Sequence, residues 1–319
     1  MKKLFTKFMV VPALLASSAF SHAAQLSTDA RSAIPHDVQQ LVVIDYRAMQ
    51  NSPSAMSLRD RVMPPELKQL EEALKNSGLN DSHDVDQLAF ALFRPSASAS
   101  SDALWTVGVA QGQFAVDDIV ADFRKKKIKP TLVRSNSIYP MTRTGMVLCF
   151  VDPSTMVFGQ KDAVTKALEA RDGTTPSLLS NSPIMDAMRS VDSDPLWSVM
   201  DSKGTQTMMR QLLGEAGSVT DFDLVKQRLQ STYYSMDFQH GVKFDLTIQT
   251  GDSFTAATIS SLLTAAVMLR KMSGSETEKQ ALSATSIGSD SGKLNIHFAS
   301  SDSQFSALIQ SPLFQSMVR

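Results

Sequence analysis

The stretch NDSHDVDQL, residues 80–88, places Asn80, Asp81, His83, Asp84 and Asp86 within seven positions. Four oxygen-bearing side chains and an imidazole at that density suit a hard-cation site, an acid–base pair or a polar turn. A calcium loop of EF-hand type needs Gly at its sixth position and Glu at its twelfth. Counted from Asn80, those positions hold Val85 and Ala91, so the template fails. A zinc site draws on several His or Cys ligands. Beyond residue 23 the chain offers only His36, His83, His240 and His297, widely separated, with Cys149 its single cysteine. Asp81, His83, Asp84 and Asp86 therefore remain a metal candidate, set against a polar link whose Asp side chains bond turn amides. The polar link is the expectation, and no cofactor is expected.

Other chemical patterns are incomplete. GSDSG, residues 288–292, carries Asp290 where a nucleophile elbow requires Ser. It precedes KLNIHFA, which makes it a hairpin turn. The carboxylate pairs Asp84/Asp86, Asp192/Asp194 and Asp221/Asp223 would serve glycoside hydrolysis only across a sugar cleft, and two Trp and four Tyr supply few stacking platforms. No H-E-x-x-H helix, phosphate-cradling loop, G-x-G-x-x-G or Ser-x-x-Lys pattern is present. Cys149 lies in the apolar run MVLCFVD with no basic neighbour to activate it, so a small buried hydrophobe is expected there. The basic run FRKKKIKP (Arg124, Lys125, Lys126, Lys127 and Lys129) is a candidate for touching an anionic surface. The competing reading is a solvated helix end whose charges complement the helix dipole.

The first residues, MKKLFTKFMVVPALLASSAFSHAAQ, read as a secretory signal peptide. Lys2, Lys3 and Lys7 precede the apolar stretch Phe8–Phe20, and Ser21 and Ala23 suit cleavage between Ala23 and Ala24. Export to the periplasm or beyond the cell follows as the expectation. Loss of residues 1–23 removes three lysines and leaves 28 basic against 32 acidic residues, a formal −4. That balance gives no electrostatic case for nucleic acid.

The elements that must position these groups follow from apolar periodicity. Residues 24–37 lack a sustained period and are expected to form a mobile lead-in. LVVIDY (41–46) reads as a strand, and PPELKQLEEALKNSGL as a helix stopped at Gly78. Strands follow in LAFALF and LWTVGVA, then a helix AVDDIVADFRKKK, strands in TLVRSNSIYPM, MVLCFVD and TMVFGQ, and a helix KDAVTKALEARDG. Residues 174–194 form a connector with a short helix at Ser182-Pro183.

The second half echoes the first. LWSVMD matches LVVIDY, YYSMDFQ and KFDLTIQ match the first strand pair, and Phe254 opens a helix as Phe114 does. A helical region over 205–230 is expected to break near GEAGS. Phe254–Leu269 has 16 uncharged residues, short of the roughly 20 that a membrane span requires. It is expected as a buried core helix, with no transmembrane segment left after signal cleavage.

The expected fold class is α+β: two tandem βαββαβ-type repeats, 38–173 and 195–319, with antiparallel sheets and helices packed on one face, an order like that of ferredoxin-like units. The arrangement resembles exported bacterial proteins of uncharacterised activity built from two degenerate α+β repeats. That resemblance implies no catalytic residues. The functional expectation is a non-enzymatic binding protein for a protein or small-molecule partner. The alternatives are a hydrolase using carboxylates of the 80–86 loop, and a structural envelope protein docking by its basic helix end.

Overall fold

Along Val85–Phe93 every second side chain is buried, the period of two that a pleated strand imposes. The intervening Leu88 and Phe90 are apolar as well and pack into a second core on the opposite side. A strand with this composition is covered on both faces.

A computed structural model describes residues 25–79, 81–95, 104–142, 145–213, 225–311 and 314. The strands of the first half are β1 (Val38–Asp45), β2 (Val85–Phe93), β3 (Trp105–Gly112), β4 (Thr131–Val133), β5 (Asn136–Pro140), β6 (Met146–Asp152) and β7 (Thr155–Gln160). Those of the second are β8 (Leu196–Met200), β9 (Leu229–Asp237), β10 (Val242–Thr250), β11 (Thr285–Asp290) and β12 (Lys293–Ser300). Before β8 the helices are α1 (Thr28–Ser32), α2 (Tyr46–Met49), α3 (Pro53–Val62), α4 (Pro65–Lys75), α5 (Asp81–Asp84), α6 (Val116–Lys125), α7 (Lys161–Arg171) and α8 (Ser182–Met188). After it come α9 (Ser202–Leu213), α10 (Ser253–Ser273), α11 (Glu276–Ser283) and α12 (Asp302–Ile309).

The protein is α+β, and its described strands form one antiparallel sheet in the order β11-β12-β10-β9-β8-β1-β2-β3-β7-β6-β5-β4. The halves meet where β1 pairs with β8, Gln40 opposite Met200 and Ile44 opposite Leu196. The expected pair of sheets is thus a single sheet. A split βαβ unit would insert a strand between two that are joined through a helix, yet β1 pairs directly with β2. The ferredoxin-like order is therefore not adopted.

Strand register places Leu88, Phe90, Phe158, Leu196 and Phe244 on one face, the front. Helices α4 and α6 cover it in the first half through Leu70, Leu74, Ile119 and Phe123. In the second half α3 and α12 cover part of the front, and α9 and α10 another part. The back face carries Val43, Ala89, Val109 and Trp197 under α1, α7 and α8. The expectation of helices on one face thus fails for the first half, whose strands are apolar on both sides. It describes β10 and β12, whose backs are polar: Ser231 donates to Gln249 at 3.0 Å, Thr247 to Asn295 at 3.0 Å, and His297 lies 2.7 Å from Asp245.

Local chemistry sets the turns. Ser291 and Gly292, with φ of 49° and 81°, close the β11–β12 hairpin at the GSDSG stretch, as a two-residue turn of this hand requires. Gly108 leaves room on the front for Phe158, whose ring would lie 2.3 Å from an added Cβ. Ser52 caps α3 by accepting from the Ala55 N–H at 3.2 Å, with Pro53 at the first turn. Ser275 and Glu278 form a capping box at α11. Neither helix was expected, although both start signals stand in the sequence.

Two further expectations fail. Residues 25–37 are not a loose lead-in: α1 is capped by Ser27, and Leu26, Ala30, Ala33 and Ile34 are at most 1% exposed. Their burial comes from contact with α7 and the back of the sheet, so a five-residue helix needs no long apolar period of its own. The parallel between Phe114 and Phe254 also breaks. Phe114 is core, whereas Phe254 is 81% exposed in the first turn of α10, which buries the face carrying Thr255, Ala256, Ile259 and Leu263 instead. The expected break near GEAGS lies outside the described residues, as do the signal peptide and its Ala23–Ala24 junction.

Ile34→Ala should destabilise the protein by about 2–5 kcal/mol, as for other buried aliphatic truncations, read by denaturant unfolding. The variant would unfold with the same free energy as the wild type if the segment were loose. Cys149 is fully buried on the back face, and burial pushes its thiol from 9.0 up to about 11. The unfolded chain loses that proton first. Stability that is full below pH 9 therefore falls as pH climbs toward 11. Unfolding measured at about pH 8 and pH 10 should show a steeper loss in wild type than in Cys149→Ala.

Candidate functional site

The densest polar cluster of the sequence becomes a short turn of helix, α5, feeding directly into β2; Asn80 lies outside the described residues. The Asp84 carbonyl accepts from the Gln113 N–H at 2.8 Å, and an added Cβ on Gly112 would fall 1.8 Å from it. A Gly at 112 is thus what lets the β3 end pass so close. His83 is exposed and its Nδ1 lies 2.9 Å from the Asp84 carboxylate. Asp86 instead pairs with Arg47. His83 and Asp84 thus pair with each other while Asp86 turns to Arg47; the Asp81 side chain lies outside what is described.

The remaining histidines stand apart. His36 pairs with Asp37 at 3.0 Å, and His297 with Asp245 on the polar back face. Among the described residues no group of three His, Cys, Asp or Glu side chains is arranged to hold a metal ion. Thermal stability is expected to be the same in millimolar calcium or magnesium as with a chelator. A calcium-dependent rise in Tm that vanished in Asp84→Ala would restore the metal reading of this turn.

The basic run ends α6. Lys126 is tied to Asp122 at 2.7 Å and to the Asn76 carbonyl at the end of α4. The Asp122 carboxyl is held below its ordinary range, first by its hydrogen bond to Lys126. Arg124, Lys125, Lys127 and Lys129 are exposed and make no ion pair among the described residues.

Under α4 the front of the sheet encloses an apolar cavity of about 80 Å³, lined by Leu67, Leu70, Leu74, Leu88, Phe90 and Phe158. At its mouth Arg59 pairs with Glu71 and stands 5.4 Å over the Tyr46 ring. That volume is below the roughly 300–1,000 Å³ of small-molecule sites.

The least covered apolar surface lies at the other end of the sheet. Helix α10 buries Thr255, Ala256, Ile259 and Leu263 against β10, β11 and β12. Met268, Leu269 and Met272 are 62%, 64% and 83% exposed. The expected buried core helix is thus buried along one stripe of its first half only. The helix lies chiefly over the last two strands of the sheet and also touches α9 and α11, yet among the described residues nothing covers Met268, Leu269 and Met272. Only 22% of its most apolar stretch is buried, and by length and composition alone it is also long and apolar enough to cross a membrane.

Beside α10 runs β11, the edge strand. Thr285–Ser289 contains no Lys, Arg or Pro, and its ladder with β12 has no bulge. The opposite edge, β4, has three residues, preceded by Lys129-Pro130 and followed by Arg134. Short length, charge and proline are the usual guards against strand addition; β4 combines all three, whereas β11 has six residues, no proline and a single charge, Asp290, at its last position. The sequence signal was available in TSIGSD, but its position at the edge was not.

No family model matches the chain, and no curated protein matches it. Among solved structures it is similar to crystal form I of TP0453, with 11% identity, a TM-score of 0.51, and coverage of 90% of this chain and 98% of that one. Crystal form III of TP0453 gives 10% identity and the same TM-score, covering 88% and 96%. At these identities the likeness concerns the fold alone.

Proposed function

We propose that this is an exported, non-enzymatic interaction protein whose β11 edge takes up an extended segment of a partner protein. Export rests on the pattern of residues 1–23. The observation that carries the docking reading is the pairing of an edge strand charged only at its last residue, Asp290, with the exposed apolar side chains of α10. An edge strand offers a row of unpaired backbone N–H and C=O groups, and main-chain hydrogen bonds supply the affinity of strand addition. A segment added there turns alternate side chains toward the α10 face, where apolar residues gain contact, and toward the polar back, where polar ones stay in water. The partner is therefore an extended segment with alternating apolar and polar residues.

The two halves are read here as degenerate repeats. Strand order supports this, running β1-β2-β3-β7-β6 outward on one side of the centre and β8-β9-β10-β12-β11 on the other. So do Asp45 and Asp201, each immediately after the Met200 or Ile44 position of a matching strand and each capping the next helix through a backbone N–H at 2.8 Å. A second docking reading is favoured by the exposed, unpaired cations Arg124, Lys125, Lys127 and Lys129, which suit an anionic lipid surface.

The test uses a synthetic KLNIHFAS peptide, the sequence that pairs with β11 from its inner side. Saturable binding should fall at least tenfold in Gly288→Lys, at which an added Cβ meets nothing within 4 Å, with Tm unchanged. Absence of binding, or equal binding by the variant, would sink the strand-addition reading. Salt-sensitive binding to anionic vesicles, lost when Lys125, Lys127 and Lys129 become Gln, would put the lipid surface in its place.

A further inference from the structure

Where β1 ends and β8 begins, the seam between the two halves opens into a pocket of about 390 Å³. This lies within the range of small-molecule sites, and such sites favour junctions between structural units. Its floor is formed by Asp45, Ser52 and Phe238, which are 7%, 9% and 8% exposed. Its rim is formed by Asn51, Ser193 and Gln239, all exposed or half-exposed.

These groups select among ligand classes. Among the described residues the only charged side chain lining the pocket is the Asp45 carboxylate, which repels anions. Its Oδ1 accepts from the Ala48 N–H at 2.8 Å as the cap of α2, which fixes the carboxylate in place as an acceptor for ligand hydroxyls. An apolar ligand would strand the rim's amide and hydroxyl groups without partners, at a cost. The Gln239 amide and Ser193 hydroxyl make no side-chain hydrogen bond among the described residues, and Asn51 donates one N–H to the Arg47 carbonyl at 3.3 Å. A primary amide offers two donors and an acceptor side by side, the complement of neighbouring hydroxyls on a ring. Phe238 and Pro195 supply apolar surface for the C–H side of that ring.

We infer that this pocket binds a small neutral polyol, a monosaccharide or cyclitol, at a site independent of the β11 edge. The residues come from the start of α2 and α3, the turn before β8 and the turn after β9, so the site exists only when both halves are joined.

The full mature chain is titrated with glucose, N-acetylglucosamine and myo-inositol, with inorganic phosphate and ethanolamine as controls, by calorimetry and ligand-observed NMR. At least one polyol should bind saturably. The double variant Ser193→Ala/Gln239→Ala, altered only at the solvent-facing rim, should weaken it at least tenfold with Tm unchanged. The inference is overturned if no polyol binds, if the double variant binds as wild type does, or if phosphate or ethanolamine binds and the polyols do not.

Discussion

The antiparallel ladder between β1 and β8 is the constraint on which the rest of the molecule depends. Five residue pairs, Gln40–Ile44 against Met200–Leu196, join segments about half the chain apart. Without them each half would expose a long apolar edge strand, an invitation to aggregation. On the back of the ladder, Leu41, Val43, Trp197 and Val199 belong to the same core as α1, α7 and α8. Breaking the pairing would therefore open the back core along with the sheet. Arg94 and Asp201 form an ion pair across the strand ends, and the Asp201 N–H donates to Gln39, which ties β2, β1 and β8 at one margin.

That seam separates two kinds of layering. Strands of the first half are apolar on both faces and sit between helices. Strands β10 and β12 alternate apolar and polar residues, so water replaces the back layer. The asymmetry explains α10. In a three-layer arrangement a 21-residue apolar helix would be enclosed; at the margin of a two-layer one it meets the sheet along a stripe and leaves its outer side uncovered. An exposed apolar surface of this kind marks an interaction site more often than a structural one.

Three carboxylates at strand ends are engaged in architecture. Asp45, Asp201 and Asp252 each follow a strand or its turn and accept a free N–H of the first helical turn, three residues on. Asp252 also accepts from the Thr255 hydroxyl at 3.0 Å and from Arg228 at 2.7 Å. Its carboxyl is held below the ordinary range, first by the Thr255 backbone hydrogen bond. The strand–Asp–helix device recurs because a helix leaves its first N–H groups without partners and a short carboxylate reaches them.

Much of the local structure was legible in the chain. A continuous apolar run marked β2, the spacing of Leu67, Leu70 and Leu74 marked α4, charge polarity marked α6, and a Ser-Gly pair marked the last hairpin. Each of these signals is carried by residues two to four apart, whose geometry the backbone itself dictates. What only the tertiary structure decided is what lies opposite each face. Leu26 and Ile34 are buried because α7 and the sheet lie over them, Met268 and Met272 are exposed because no described element covers them, and β11 is an edge because no thirteenth strand follows it among the described residues. The seam pocket draws Asn51, Ser193 and Gln239 from segments more than 40 residues apart. Residue types at such separations carry no shared periodicity, so burial, edges and pockets emerge only when long-range pairing brings those segments together.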